Sequence, residues 1–190
     1  MEPFTTLTSR TAVLPAANID TDQIIPARFL TTTTRAGLGE RLFADWRYAP
    51  DGSPRSDFVL NRAEARGCRI LIAGRNFGCG SSREHAAWAL ADYGFRAVIS
   101  SEIADIFRTN ALKNGLLPVI VEEPLSAWLI AHPGVELTLD VSARTLRLPT
   151  GVAVSFPLEP FVRHCLLRGV DELEYLLEQR SEIEAFERRL

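Results

Sequence analysis

The chain has 190 residues, 46% of them apolar, with 21 basic and 24 acidic side chains and a formal net charge of −3. That length and apolar share support a single domain over residues 1–190 with a true core, and the near-balance of charge excludes nucleic acid as the main partner. No apolar run approaches the ~20 residues of a membrane-spanning helix, and Met1-Glu2-Pro3-Phe4-Thr5 lacks the basic and apolar regions of a signal peptide, so a soluble, cytoplasmic protein without a membrane partner is expected.

Arg10-Thr11-Ala12-Val13-Leu14 reads as a first short strand, halted by Pro15. Asn18-Ile19-Asp20-Thr21-Asp22-Gln23-Ile24-Ile25-Pro26 follows. Its aspartates stand one residue apart, but the glycine and distal glutamate of a calcium loop are missing. Two readings stay open: a turn in which Asp and Asn side chains bond nearby backbone, and a loop lining a site. Residues 29–57 are weakly patterned. Thr31 to Thr34, Gly37 and Gly39 suggest a mobile segment, with a short helix from Glu40 to Trp46 and a turn at Asp51-Gly52-Ser53-Pro54. Such a stretch in a compact domain is often a functional loop or a lid, ordered by itself or only against a partner.

From residue 69 the pattern becomes regular. Aliphatic runs predict strands at 69–73, 97–100 and 117–121, separated by helical patterns at about 82–92 and 102–112, with a third helix at about 124–131. Strands alternating with helices imply crossover units and parallel pairing. The segments 135–140, 144–148 and 152–156 alternate with turn residues and read as an antiparallel meander. Residues 158–190 are helical and strongly charged, ending in a solvated helix or fraying tail. The class is α/β with a mixed sheet and flanking helices.

The chemistry centres on the turn between the strand at 69–73 and the helix after it: Gly74-Arg75-Asn76-Phe77-Gly78-Cys79-Gly80-Ser81-Ser82-Arg83-Glu84-His85-Ala86. Glycines let backbone N–H groups approach a ligand closely. A helix start carries unpaired N–H groups and partial positive charge, hence an anion site, and Arg83 adds a fork suited to a carboxylate. Ser81 stands three residues before Glu84, the spacing of a capping box. It reads either as the helix cap or as a serine whose oxygen, among amide donors, acts as nucleophile or base. His85 reads as a general base or as a satisfied structural histidine. The serine-hydrolase elbow Gly-x-Ser-x-Gly and the Gly-Lys-Ser/Thr ending of a phosphate loop are both absent. Cys79 reads as a small packed residue rather than a reactive thiol. Cys68, Cys79 and Cys165 are too scattered for a disulfide framework or for cluster ligation, so no metal is assigned to this chain.

These residues carry a resemblance. Residues 74–86 look like the signature of the aconitase-family swivel domain. Asn18 to Pro26 resembles that family's upstream motif, and Asn110-Ala111-Leu112-Lys113-Asn114-Gly115-Leu116-Leu117-Pro118 its downstream one, in the family's order. The length and free-standing domain resemble the small subunits of bacterial isopropylmalate dehydratases. The resemblance implies a swivelling β/β/α fold and a two-subunit hydro-lyase of leucine biosynthesis. It implies a large-subunit partner carrying a [4Fe–4S] cluster, with none bound here, and a small hydroxy-diacid substrate. Carried over by position, Ser81 is the catalytic base, and Ser82 and Arg83 bind substrate. Phe29, Leu30, Thr31 and Thr32 form a substrate-specificity loop. Phe29 and Leu30 suit an isopropyl group, whereas Arg28 or Arg35 would suit the extra carboxylate of a homoaconitase-type substrate. A citraconate- or methylmalate-type hydratase and a non-enzymatic carboxylate-binding module are the other readings.

Overall fold

The structure, a computed structural model, describes residues 1–189. Among these the strands are β1 (Thr6–Leu14), β2 (Ile70–Ala73), β3 (Ala97–Ser100), β4 (Leu117–Ile120), β5 (Glu136–Asp140), β6 (Thr145–Arg147) and β7 (Ala153–Ser155). They form one sheet in the order β4-β3-β2-β1-β5-β6-β7. The helices are α1 (Thr21–Ile24), α2 (Ala44–Arg47), α3 (Glu84–Tyr93), α4 (Asp105–Lys113), α5 (Glu123–Ala131), α6 (Pro160–Arg168), α7 (Glu172–Glu178) and α8 (Arg180–Glu187). None is long and apolar enough to cross a membrane.

β1 joins two kinds of sheet. Its first half pairs antiparallel with β5, from Thr6 opposite Asp140 to Arg10 opposite Glu136. Its second half pairs parallel with β2, from Thr11 opposite Ile70 to Leu14 opposite Ala73. Burial follows the pairing. Thr6 to Ser9 alternate exposed and buried, as in an antiparallel sheet with one wet face, while Thr11 to Leu14 are buried throughout, as in a parallel sheet covered on both faces. The strand is longer than the expected 10–14. Its first four residues, Thr-Leu-Thr-Ser, lack the aliphatic density that marks a buried strand, and their partner β5 lies far along the chain.

The parallel half, β1-β2-β3-β4, carries a core on each face. Ala12, Leu14, Leu71, Ala73 and Val98 face one core, and Val13, Ile70, Ile72, Ala97 and Ile99 face the other. This is the two-residue period of strands. Helices α3 and α4 cross between the parallel strands as expected. They begin at Glu84 and Asp105 rather than at 82 and 102.

Residues 29–57 do not behave as a mobile run throughout. Leu38, Leu42 and Phe43 are buried in the core. The Phe43 ring stacks on Trp46 with centroids 5.6 Å apart, and Arg47 donates to the Gly39 and Leu42 carbonyls at 3.1 and 3.3 Å. The helix expected over 40–46 is instead a 3-10 turn at Gly39–Arg41 and a single α turn at Ala44–Arg47. Phe43, left-handed at φ 50°, separates them. The apolar residues here fit no period because the segment is moulded to the core rather than regular. The C-terminal helices α7 and α8 leave Leu173, Leu176, Leu177, Ile183 and Phe186 exposed.

Candidate functional site

The glycine-rich turn leaves β2 at the carboxyl edge of the parallel strands, where ligands bind in open α/β sheets. It runs on between two neighbouring segments, joined to them by isolated bridges at Phe77 and Cys79. On one side it pairs with the upstream motif: Gly74 N–H donates to Leu14 (2.9 Å), Asn18 N–H to Arg75 (2.8 Å), Gly78 N–H to Ile19 (2.7 Å) and Thr21 N–H to Cys79 (3.0 Å). On the other it bonds to the segment leading into α4: Phe77 N–H donates to Glu102 (3.1 Å) and Ala104 N–H to Phe77 (2.9 Å). The buried Ser100 hydroxyl donates to the Gly74 carbonyl at 2.9 Å, which satisfies a polar group that water cannot reach. A side chain at Gly74 would place its Cβ 2.3 Å from the Ala16 carbonyl oxygen, so the close approach of the two backbones requires glycine. Phe77 pins the turn to the core, edge-on to Phe107 at 5.2 Å.

Beyond Gly80 the chain rises out of this pairing. Ser81 and Ser82 are exposed. The amides of Gly80, Ser81, Ser82, Arg83 and Glu84 meet no protein acceptor among the described residues. This is the set of donors that an anion or developing alkoxide requires. Ser81 is not the helix cap. Arg83 occupies that position with no side-chain capping bond, because the helix starts two residues later than the capping-box spacing implied. What holds Ser81 is its main chain, whose carbonyl accepts from the Thr21 hydroxyl at 2.8 Å.

The turn reading of the upstream motif holds for Asp20, which caps α1 in a reciprocal box with Gln23. Asp22 forms an ion pair with Arg83, whose side chain is only 16% exposed. The hydrogen bond of this pair holds the Asp22 carboxyl below the ordinary 3.8. A carboxyl depressed in the folded state contributes stability above its unfolded pKa, and that contribution is lost as pH falls through the folded value. Asp22 is 55% exposed, so Asp22→Asn is expected to cost less than about 1 kcal/mol at pH 7. Denaturant titrations of the two proteins should converge as pH is taken below the carboxylate range; a gap constant with pH would contradict the pairing.

The downstream motif reaches the same helix. Asn114 accepts from Trp88 Nε1 at 2.9 Å and donates to Glu84 Oε1 at 2.9 Å. His85 Nε2 lies 2.9 Å from the Thr32 carbonyl oxygen. Nε2 is therefore the protonated nitrogen and not free to act as a base toward Ser81. Sequence reasoning assigned no role to Asp22, Trp88 or Asn114; the signal available was that all three lie in or beside the recurring motifs.

The segment expected to read substrate sits against this helix. Thr31 is exposed, and Phe29, Leu30 and Thr32 are half-buried. The Phe29 ring is engaged by its own chain, with the Arg28 and Arg41 guanidiniums 4.6 and 5.2 Å from its centroid. Leu30, like Phe29, packs partly against the core. Neither candidate cation is idle. Arg28 grips Asp45 with both terminal nitrogens, and Arg35 lies over the Trp88 ring at 5.3 Å.

The cysteines do not converge. Cys68 and Cys165 are buried and Cys79 is half-buried, and burial pushes all three thiols up, against thiolate ligation. No group of three or more metal-ligating side chains occurs among the described residues. The residues present therefore do not fit an iron–sulfur cluster.

A mixed sheet with a glycine-rich turn at its carboxyl edge, bearing two exposed serines beside a half-buried arginine, defines a domain of the aconitase swivel class. The match to the aconitase C-terminal domain covers residues 1–124. The chain is 63% identical to the 3-isopropylmalate dehydratase small subunit of Anaeromyxobacter dehalogenans strain 2CP-C, over 98% of both chains. It is 56% identical to that of Chloroflexus aggregans, over 98% of this chain and 94% of that one. A crystal structure of 3-isopropylmalate dehydratase from Methanocaldococcus jannaschii superposes with a TM-score of 0.68 at 26% identity, covering 96% of this chain and 99% of that one. The chain belongs to the family of 3-isopropylmalate dehydratase small subunits, with the swivelling β/β/α fold.

Proposed function

We propose that this chain supplies the proton-transferring half of 3-isopropylmalate dehydratase, the hydro-lyase that interconverts 2-isopropylmalate and 3-isopropylmalate in leucine biosynthesis, with Ser81 as the base. One observation carries the assignment: Ser81 stands exposed beside a run of amides that have no protein acceptor. The hydrogen beside a carboxylate is a weak acid, and its removal needs both a base and support for the charge that appears. The amides of Gly80 to Glu84 support negative charge at the Ser81 oxygen. Arg83, aimed by Asp22, takes a substrate carboxylate as a fork, and the Ser82 hydroxyl and amide complete the binding edge.

An exposed hydroxyl in water does not persist as an alkoxide. The base therefore works only when a second chain covers the turn and excludes water, and a large subunit is the partner that small-subunit kinship implies. A [4Fe–4S] cluster held by that subunit would supply the Lewis acid for the departing hydroxyl. Substrate choice follows from the segment at 29–32. With Arg28 committed to Asp45 and Arg35 to Trp88, no free cation of this segment awaits a third carboxylate, which favours isopropylmalate over a homoaconitase-type substrate. We place the enzyme in the cytoplasm.

The test is an assay of the purified chain with 3-isopropylmalate, alone and with its large subunit. Turnover is expected only with both. Turnover by the chain alone, or labelling of Ser81 by an acyl-serine probe, would revive a self-sufficient serine enzyme. Tight binding of the diacid to the isolated chain in calorimetry would favour a binding module.

A further inference from the structure

His85 is spent neither on the core nor on Ser81. We propose that His85, with Trp88 as its platform, is a positioning residue that clasps the segment around Thr32 to the helix bearing the site, and so sets the wall against which the substrate side chain is read. The inference rests on the proposed function for what is read there, and on geometry alone for the clasp.

The clasp has two ends on one face of α3. At the first, His85 Nε2 donates to the Thr32 main-chain oxygen at 2.9 Å, and its ring packs on Trp88 with centroids 4.6 Å apart. At the second, the Arg35 guanidinium lies 5.3 Å from the centre of the same indole, a cation–π contact. The indole itself is fixed, because its N–H donates to Asn114 at 2.9 Å and lies 3.3 Å from Glu84 Oε1. Between the two ends, the Thr32 hydroxyl accepts from Thr34 N–H at 3.2 Å, so anchoring Thr32 orients the turn that follows. Residues 31 and 33–37 are otherwise exposed. Their place is set by these few contacts rather than by burial, and an exposed stretch so lightly held opens easily.

His85 lies two residues beyond Arg83. The hydrogen bond therefore fixes the distance between the residue that grips a substrate carboxylate and the segment carrying Leu30. Loosening it should alter how the substrate side chain is held and leave proton transfer at Ser81 intact.

Two variants test the clasp. His85→Phe keeps a ring on Trp88 and removes the donor, and His85→Gln replaces the donor at nearly the same reach. In the reconstituted two-subunit enzyme, His85→Phe should raise KM for 3-isopropylmalate about tenfold, as expected for one lost hydrogen bond, with kcat within about twofold. In the free chain it should speed amide exchange across residues 31–35. His85→Gln should return both toward the parent. Unchanged exchange with unchanged KM, a fall in kcat at constant KM, or equal losses in both variants would each overturn the proposal. The exchange measurement needs no substrate, so it judges the clasp even if the reconstituted enzyme fails to turn over isopropylmalate and the functional assignment falls.

Discussion

Ser81→Ala is expected to remove turnover from the reconstituted enzyme and leave the chain as stable as before. Loss of a positioned general base lowers rate by about 10²–10⁴-fold, and here the amides left behind have no oxyanion to support. The stability half of the prediction is the sharper one. Were Ser81 a helix cap, its truncation would cost about 1 kcal/mol. In the structure α3 is entered through Arg83 without a side-chain cap, and Ser81 is held by its main-chain carbonyl, which alanine keeps. An exposed side chain with no such tie changes stability within about 0.5 kcal/mol. Rate assays with the large subunit and a denaturant titration of the free chain check the two halves together. A variant that keeps near-normal turnover would remove Ser81 from the mechanism. A variant that loses both rate and about 1 kcal/mol would return it to a capping role.

The parts of the fold that were legible are those whose cause is local. Arg69 to Ala73, Ala97 to Ser100 and Leu117 to Val121 are aliphatic runs between helical patterns. In a parallel sheet covered on both faces such runs fit few other arrangements, and β2, β3 and β4 fall within a residue of the expected bounds. The glycine turn was legible for a similar reason, since its residue types answer to close backbone approach and to anions. What stayed hidden depends on distant partners. Thr6 to Ser9 become strand because β5 arrives from 130 residues away, as the Thr8–Thr138 hydroxyl pair records. Leu38, Leu42 and Phe43 become core because α3 and the parallel strands offer them a surface, not because their spacing repeats. The same limit applied at the site. Ser81 and Arg83 are neighbours in sequence and could be named together. Asp22 opposite Arg83 and Thr32 opposite His85 are brought together only by the sheet. The false capping box at Ser81 shows the converse: a local signature with the right spacing was overridden where the upstream motif ties the Ser81 carbonyl and the helix starts only at Glu84.

Gly78→Ala is expected to produce a large loss of stability. Two costs coincide there. Gly78 has φ +76°, where an L-residue is disfavoured by about 1–2 kcal/mol. Its added Cβ would lie 2.4 Å from Cγ and 2.6 Å from Cβ of Phe107, a ring already locked edge-on against Phe77 in the core. Overpacking of that kind costs about 1–3 kcal/mol more. The sum, about 2–5 kcal/mol, is a large share of the 5–15 kcal/mol typical of a whole domain and corresponds to a fall in Tm of roughly 4–20 °C at this chain length. Gly151→Ala isolates the first cost. Gly151 has a similar φ of +85° but nothing within 4 Å of its added Cβ, so its loss should stay near 1 kcal/mol, the lower end of the backbone term. Equal losses in the two variants would mean that Phe107 yields freely and that Phe77 does not pin the turn. A large excess at Gly78, together with turnover lost at temperatures where the chain is still folded, would show that the packing beneath the turn also holds Ser81 and Arg83 in place. Relief of the clash then has one further signature. Phe107→Ala combined with Gly78→Ala should be less unstable than the two single losses added, because the Cγ and ring that meet the new methyl are gone.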